Sequence, residues 1–292
     1  MEIVFLGTGC PVVSTERYGP AQLVLGGGAK VLVDCGSGVT QRLIAAGVPG
    51  RDLDGLLLTH LHSDHLVDLY QLIVSSWHQG RDRPLSVYGP PGTKRYVEGL
   101  MALWEPELSQ RIAHEKRPST AALETEVTEI AAGEVLEIGG LAVTVVAVDH
   151  QPVRHAFGFV FEEGGQKLVL SGDTRRCQSL IDAARGANLL VHEVFVHREM
   201  PVVPGVRSAE TVANVAGYHT LSDEVGKIAT EAEVKALALT HFVPPAADRA
   251  ALLAEVAADF MGPLVLVEDL LRIDLDRRSV TYEGAVLSLG RG

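Results

Sequence analysis

Apolar and polar positions along the chain fall into short blocks that read alternately as strands and helices. The runs EIVFL, AQLVL and AKVLVDCG are expected to be three strands, the last two joined by the glycine turn Gly26–Gly28. Ser37–Ala46 follows as a short helix, capped by Ser37 and ended by Gly47. DGLLLTH is apolar without alternation, as expected of a strand covered on both faces. Val67–Ser76 has a helical pattern, Leu85–Tyr88 reads as a strand, GPPGT as a turn and Lys94–Leu103 as a helix. Val127–Val148 breaks into apolar runs separated by glycine turns, which predicts an antiparallel meander. FGFVF, KLVLSGD and NLLVHE continue the strands, with a helix over Arg176–Ala184 between the last two. Helices near Ser208–Ala216 and Ser222–Glu231, the strand ALALTH, a helix over Ala246–Asp259 and the strands LVLVED and LLRIDL complete the chain. Strands flanked throughout by helices predict an α/β protein whose sheets are covered by helical layers.

Composition narrows the class. The chain has 292 residues, 47% hydrophobic and 21% charged, which suits one soluble α/β domain spanning residues 1–292. The N-terminal apolar run is too short for a signal sequence, and no run approaches the roughly 18 apolar residues of a membrane span. A cytoplasmic enzyme with no membrane partner is the expectation. Cys10, Cys35 and Cys177 are far apart and form no CxxC pair, so a disulfide framework and a cysteine zinc site are both disfavoured. A net charge of −12 disfavours long-range attraction to nucleic acid.

The chemistry concentrates in LLLTHLHSDHLVDL, Leu56–Leu69, where titratable side chains crowd the end of a buried strand. His60 and His62 are two apart, so in an extended chain both rings fall on one side and can grip one ion. Asp64 and His65 follow, where a loop or first helical turn can aim them at a second ion. Imidazole and carboxylate donors without thiolate suit zinc, with manganese and iron compatible. His150 after a β-branched run, Asp173 at a glycine turn and His241 at the end of LALTH sit where an α/β sandwich exposes strand ends. Each alone would be structural; with the Leu56–Leu69 stretch they complete seven candidate metal ligands. Asp173 has two oxygens and can bridge two ions. LLLTH and LALTH are near copies, which fits two strands ending at one shared site. His78 and His114 lie in polar stretches and are expected in solvent. His155 lies close to His150, and the pattern does not fix its side. His197 has no partner pattern, and His192 and Glu193 are adjacent on a strand, so at most one faces the site. His219 reads from the residues alone as leading into a helix that Ser222 caps.

Taken together, FLGTGCP, VLVDCGSG, GLLLTHLHSDH, VYGPPGT, HAFGFVFE, LSGDT, LVHEVF and LALTHFVP resemble the metallo-β-lactamase superfamily, and within it the ribonuclease Z and arylsulfatase-like branch. The resemblance covers most of the chain. It implies an αββα sandwich with a binuclear metal site at one edge of the sheets. It assigns His60, His62 and His150 to one ion, Asp64, His65 and His241 to the other, and Asp173 as the bridge. It also implies that Glu193 and His219 form a proton-handling pair, with His219 as general acid and Glu193 as its orienting partner. Two departures argue against a tRNA partner. Ribonuclease Z proper inserts a long tRNA-holding arm after the third metal motif, whereas a plain hairpin fills the interval between His150 and Asp173. Val194 and Phe195 also stand where the family usually has Ala-Thr. His62, where the flavodiiron branch has Glu, excludes that branch.

The expected function is therefore a binuclear hydrolase, foremost a phosphodiesterase acting on a small anionic ester through a metal-bridging hydroxide near Asp64 and Asp173. The alternatives are a sulfatase, a lactonase or thioesterase, a tRNA 3′-processing endonuclease and a non-catalytic metal-binding protein; a homodimer is compatible with any of them. Trp77, His78, Arg81 and Arg83 in WHQGRDR present two readings, as stacking and charge-matching groups at the cleft mouth or as a polar loop between a helix and a strand.

Overall fold

Alternation in the first strand, β1 (Glu2–Gly7), divides its side chains between two cores: Ile3 and Phe5 enter one, Val4 and Leu6 the other. The computed structural model describes residues 1–290. The strands that follow are β2 (Ala21–Gly26), β3 (Ala29–Val33), β4 (Gly55–Leu57), β5 (Leu85–Gly89), β6 (Thr125–Glu129), β7 (Val135–Ile138), β8 (Leu141–Ala147), β9 (Phe157–Glu163), β10 (Gln166–Leu170), β11 (Leu189–Phe195), β12 (Leu237–Val243), β13 (Leu264–Leu266), β14 (Arg272–Asp274), β15 (Ser279–Tyr282) and β16 (Ala285–Ser288). The helices are α1 (Val39–Ala45), α2 (Leu69–His78), α3 (Thr93–Glu115), α4 (Gln178–Ala184), α5 (Ala209–Ala216), α6 (Ser222–Glu231) and α7 (Arg249–Ala257).

One sheet runs β16-β15-β14-β1-β2-β3-β4-β5-β6 and the other β13-β12-β11-β10-β9-β8-β7. Phe5, Val24 and Val31 of the first sheet meet Val143, Phe159 and Phe161 of the second in the central core. The other side of the first sheet, with Leu23, Leu32 and Leu56, packs on Val39 and Leu43 of α1 and on Leu72 and Ile73 of α2. Leu180 of α4, Ile228 of α6 and Leu252 of α7 cover the second sheet. The architecture is the expected αββα sandwich. In each sheet a run of neighbouring strands is parallel, β3-β4-β5 in one and β10-β11-β12 in the other, and the site lies at their carboxyl ends, on the last residues of β11 and β12 and in the loops beyond.

Several local expectations are corrected. The Val127–Val148 stretch is not one meander: β6 joins β5 in parallel at the edge of the first sheet, and the chain then crosses to β7, where the antiparallel run β7–β10 begins. α3 continues to Glu115, well past Leu103. Only Thr93, Val97 and Leu108 of it are buried, so its far half carries no apolar stripe to read, and the pairs of Arg111 with Glu107 and Glu115 support it instead. Gly38, at φ 78°, rather than Ser37 caps α1, and Leu221 rather than Ser222 caps α6. The hairpin β15–β16 was not expected; it turns through Glu283 and Gly284, both at positive φ, without the asparagine or aspartate that signals such turns. Trp77 is buried with its indole N–H on the Ser119 carbonyl, and Arg81 donates to the carbonyls of Arg51, Leu53, Arg83 and Pro84. That loop is structural and offers neither residue to a ligand.

Candidate metal centre and active site

β4 ends at Leu57, the chain bends at Thr59, and His62 is extended just before a short helical turn, Ser63–His65. Asp34, at the end of β3 and at φ 60°, organises this segment. Its carboxylate accepts from the Thr59 N–H at 2.8 Å and the Thr59 hydroxyl at 2.9 Å, and from His65 Nδ1 at 2.7 Å. His65 Nε2 is thereby turned inward. His60 is held in the same way, its Nδ1 3.0 Å from Thr59 Oγ1, and His150 Nδ1 donates to the Tyr218 carbonyl at 2.8 Å. Fixing the outer ring nitrogen leaves the inner one free for an ion.

The inner atoms converge. Asp173 Oδ2 lies 3.4 Å from Nε2 of both His65 and His241 and 3.9 Å from Nε2 of both His60 and His150. Asp64 Oδ2 lies 3.5 Å from the same nitrogens of His65 and His241, and His62 Nδ1 faces His150 Nε2 at 3.3 Å. Three overlapping donor groups result: His60, His62, His150 and Asp173 form one, Asp64, His65 and His241 a second, and Asp173, His219 and His241 a third. Gly172, before Asp173, permits the close turn, since a Cβ there would lie 2.4 Å from the Phe157 carbonyl oxygen at φ 59°.

The donor set fits divalent metal ions. Nε2 of His60, His65 and His241 is buried with no hydrogen-bond partner among the described residues, an arrangement that costs free energy unless something fills it. The electrostatics point the same way. Burial alone would raise the Asp173 pKa, but His241 and His65 hold it well below the carboxylate range. Burial disfavours a charged His65, yet Asp173 and Asp34 outweigh it and draw positive charge to the ring. His60 goes the other way, kept neutral by burial and by His65.

His241 reaches this centre through an irregularity. In β11 and β12, Glu193 pairs with Thr240 and Val194 with Phe242, leaving His241 as an extra residue at φ 45°. This β-bulge turns its ring toward the other donors.

Beside the donors, Glu193 Oε1 accepts from the backbone N–H groups of Thr174 at 3.0 Å and Thr220 at 3.2 Å, and lies 2.9 Å from His219 Nδ1. His219 stacks against Phe195 and presents a ring nitrogen within 4.8 Å of the donor atoms of Asp173 and His241. Burial works against a charged His219, but Glu193 outweighs it and raises the pKa. The structure thus brings Glu193 and His219 together with the seven candidate ligands. His192 is buried on the other side of β11, with Nδ1 on the Glu193 carbonyl. His78, His114 and His155 are exposed and His197 is half-buried. The residues that sequence reasoning missed are the supporting ones, Asp34, Thr59 and Tyr218; an aspartate ending the apolar run AKVLV was the available signal for the first. A cleft of about 490 Å³ opens beside Asp64, walled by Pro11, Val12 and Tyr18 with the small residues Ser37 and Ser63.

A two-sheet sandwich with histidine and carboxylate donors gathered beyond its strand ends defines a metal-dependent hydrolase of the metallo-β-lactamase fold. The chain belongs to the ribonuclease Z-like branch of that superfamily and, through a match over residues 1–203, to the family described as anti-Pycsar protein Apyc1. It is 39% identical over 279 residues to the ribonuclease Z of Mycobacterium sp. (strain KMS), covering 94% of this chain and 96% of that one. Among solved structures it resembles the metallo-β-lactamase fold protein YhfI from Bacillus subtilis, with a TM-score of 0.71, 21% identity and coverage of 94% of this chain and 99% of that one. Human tRNase Z, short form, matches with a TM-score of 0.68, 22% identity and the same coverages. No helix among the described residues is long and apolar enough to cross a membrane.

Proposed function

We propose that the protein is a cytoplasmic phosphodiesterase that uses two divalent ions, zinc foremost, on a small anionic ester. His60, His62 and His150 would hold one ion, Asp64, His65 and His241 the other, with Asp173 between them. Bound ions would supply an acidified water as nucleophile and neutralise charge on the phosphoryl oxygens. The observation that carries the reading is the Glu193–His219 contact at 2.9 Å beside the donor cluster. A phosphodiester with an alkoxide leaving group needs a proton at the departing oxygen, and His219, whose pKa is raised by Glu193 against the effect of burial, would donate it. Asp64, which lines the cleft, would orient the attacking water as well as help hold its ion. A lactone's departing oxygen stays tethered to the product and takes up a proton too, so it is the substrate panel below, and not this pair, that separates the two ester classes.

A second reading is ribonuclease Z-type tRNA processing. It is favoured by the Mycobacterium relative, which this chain covers to 96%, so the short interval between His150 and Asp173 does not separate the two proteins. The test is a panel for the ion-loaded protein: bis-p-nitrophenyl phosphate, a 2′,3′-cyclic nucleotide, an aryl sulfate, a lactone and a pre-tRNA. Turnover of the small phosphodiesters supports the first reading. Preferential cleavage of pre-tRNA establishes the second, and turnover of the lactone alone overturns both. His219→Ala should cripple phosphodiesters with poor leaving groups and spare p-nitrophenyl esters.

A further inference from the structure

His241 differs from His60, His65 and His150 in what holds it. The outer nitrogens of His60, His65 and His150 are fixed by Thr59, Asp34 and the Tyr218 carbonyl. Neither ring nitrogen of His241 has a hydrogen-bond partner among the described residues, and its backbone sits at φ 45° in a bulge. Imidazole ligands ordinarily depend on such outer contacts for their orientation, so the orientation of this one must come from the chain around it.

Arg17 supplies the restraint. It is only 4% exposed, and its guanidinium lies over the ring of Phe242, the residue after His241, at 4.1 Å from the centroid. Nε donates to the Pro245 carbonyl at 3.2 Å, which grips the chain just beyond β12. Nη1 donates to the Val267 carbonyl at 2.8 Å and to Thr8 Oγ1 at 2.6 Å, and Nη2 pairs with Glu268 at 3.0 Å. Thr8 closes the circuit: its carbonyl accepts from the Phe242 N–H at 3.1 Å, and its hydroxyl and N–H both donate to Asp269. A planar, multiply donating cation is the side chain suited to stacking and bridging at once; a lysine ammonium can replace one contact but not the set.

We infer that Arg17 is the positioning residue for His241: by clamping Phe242 and Pro245 it holds the bulge that aims this ligand, in place of the missing outer hydrogen bond. The inference rests on the ligand assignment proposed above. Its consequence is selective. Loosening the bulge should weaken the ion held by Asp64, His65 and His241 and leave the ion held by His60, His62 and His150.

The experiment measures metal content by elemental analysis after dialysis against graded chelator, together with the absorption spectrum of cobalt-substituted protein, for wild type, Arg17→Met, Arg17→Lys and Phe242→Leu. One ion should bind about 10–100-fold more weakly in both Arg17 variants, the range seen when an outer support of a metal ligand is removed. The other should keep its affinity. Phe242→Leu, which keeps the hydrogen bonds of Arg17 but removes the ring beneath it, should show a smaller loss of the same ion; it decides the matter if Arg17→Met does not fold. Parallel weakening of both ions, or unchanged affinities in Arg17→Lys and Phe242→Leu, would overturn the inference. If the wild-type chain binds one ion only, the two-ion reading fails on its own. In that case a weakened single ion in Arg17→Lys still supports the positioning role, and an unchanged one overturns it.

Discussion

Asp34 and His65 lie 2.7 Å apart, carboxylate oxygen to Nδ1, and the same carboxylate takes both the N–H and the hydroxyl of Thr59. One acid therefore sets the tautomer of one donor directly and, through Thr59, braces a second, His60. Asp34→Asn keeps an acceptor for Thr59 but can turn an amide N–H toward His65. It is expected to lower metal affinity about 10–100-fold with little effect on folding. Asp34→Ala should also cost about 1–3 kcal/mol of stability, because the buried Thr59 N–H loses its partner. Chelator competition separates these from denaturant unfolding.

Glu193 acts on the proposed reaction through His219. Glu193→Gln retains an oxygen for the Thr174 and Thr220 N–H groups, so the loop should keep its shape. Without the negative charge, His219 is a poorer imidazolium. Turnover of alkyl phosphodiesters should fall by about 10²–10⁴ while p-nitrophenyl esters change little. Glu193→Gln combined with His219→Ala should be no slower than His219→Ala alone. Steady-state kinetics on the two ester classes measure both.

Gly36 has no room for a side chain. A Cβ there would stand 2.4 Å from the Gly19 carbonyl carbon and 2.6 Å from the Asp64 carbonyl oxygen, both backbone atoms. Gly36→Ala should therefore displace the segment carrying Asp64. The expected result is a loss of about 1–3 kcal/mol in urea unfolding, accompanied by reduced metal retention at the ion proposed for Asp64, His65 and His241.

Cys10 titrates far from its ordinary range. Burial raises its pKa from 9.0 to about 12, against a smaller opposing bond from the Val12 backbone. The thiol is thus neutral in the folded chain throughout the physiological range. Iodoacetamide at pH 8 should modify the half-buried Cys177 well before Cys10, as mass spectrometry of digests will show. The sign of the linkage follows: a raised folded pKa contributes stability in full below pH 9 and loses it as pH rises toward 12. Cys10→Ser, which does not titrate there, should flatten that part of the stability curve.

The legibility of this protein divides along physical lines. The helix-covered sheets and the convergence of the candidate donors were readable because buried strands demand apolar runs and ligand-type side chains stand at close spacing, as in LLLTHLHSDH, whereas the αββα arrangement came through the resemblance. Glu193 and His219 became a pair only through the resemblance, since Glu193 and His219 are 26 residues apart and meet by tertiary folding. Asp34 and Arg17 were not read as site residues because an isolated aspartate or arginine carries no periodicity. The far half of α3 escaped because it buries almost nothing, and the β15–β16 hairpin because its turn lacks the usual residues.

The extra residue in β12 has a consequence of parity. Thr240 lies opposite Glu193, so a residue directly after it in an unbroken strand would point away from the donors. One inserted position reverses that, and every side chain beyond it keeps its own side of the sheet. Deleting His241 would therefore remove the donor yet restore regular pairing, with Phe242 still opposite Val194, so the seat of Phe242 under Arg17 should outlast the loss of the residue it helps to aim.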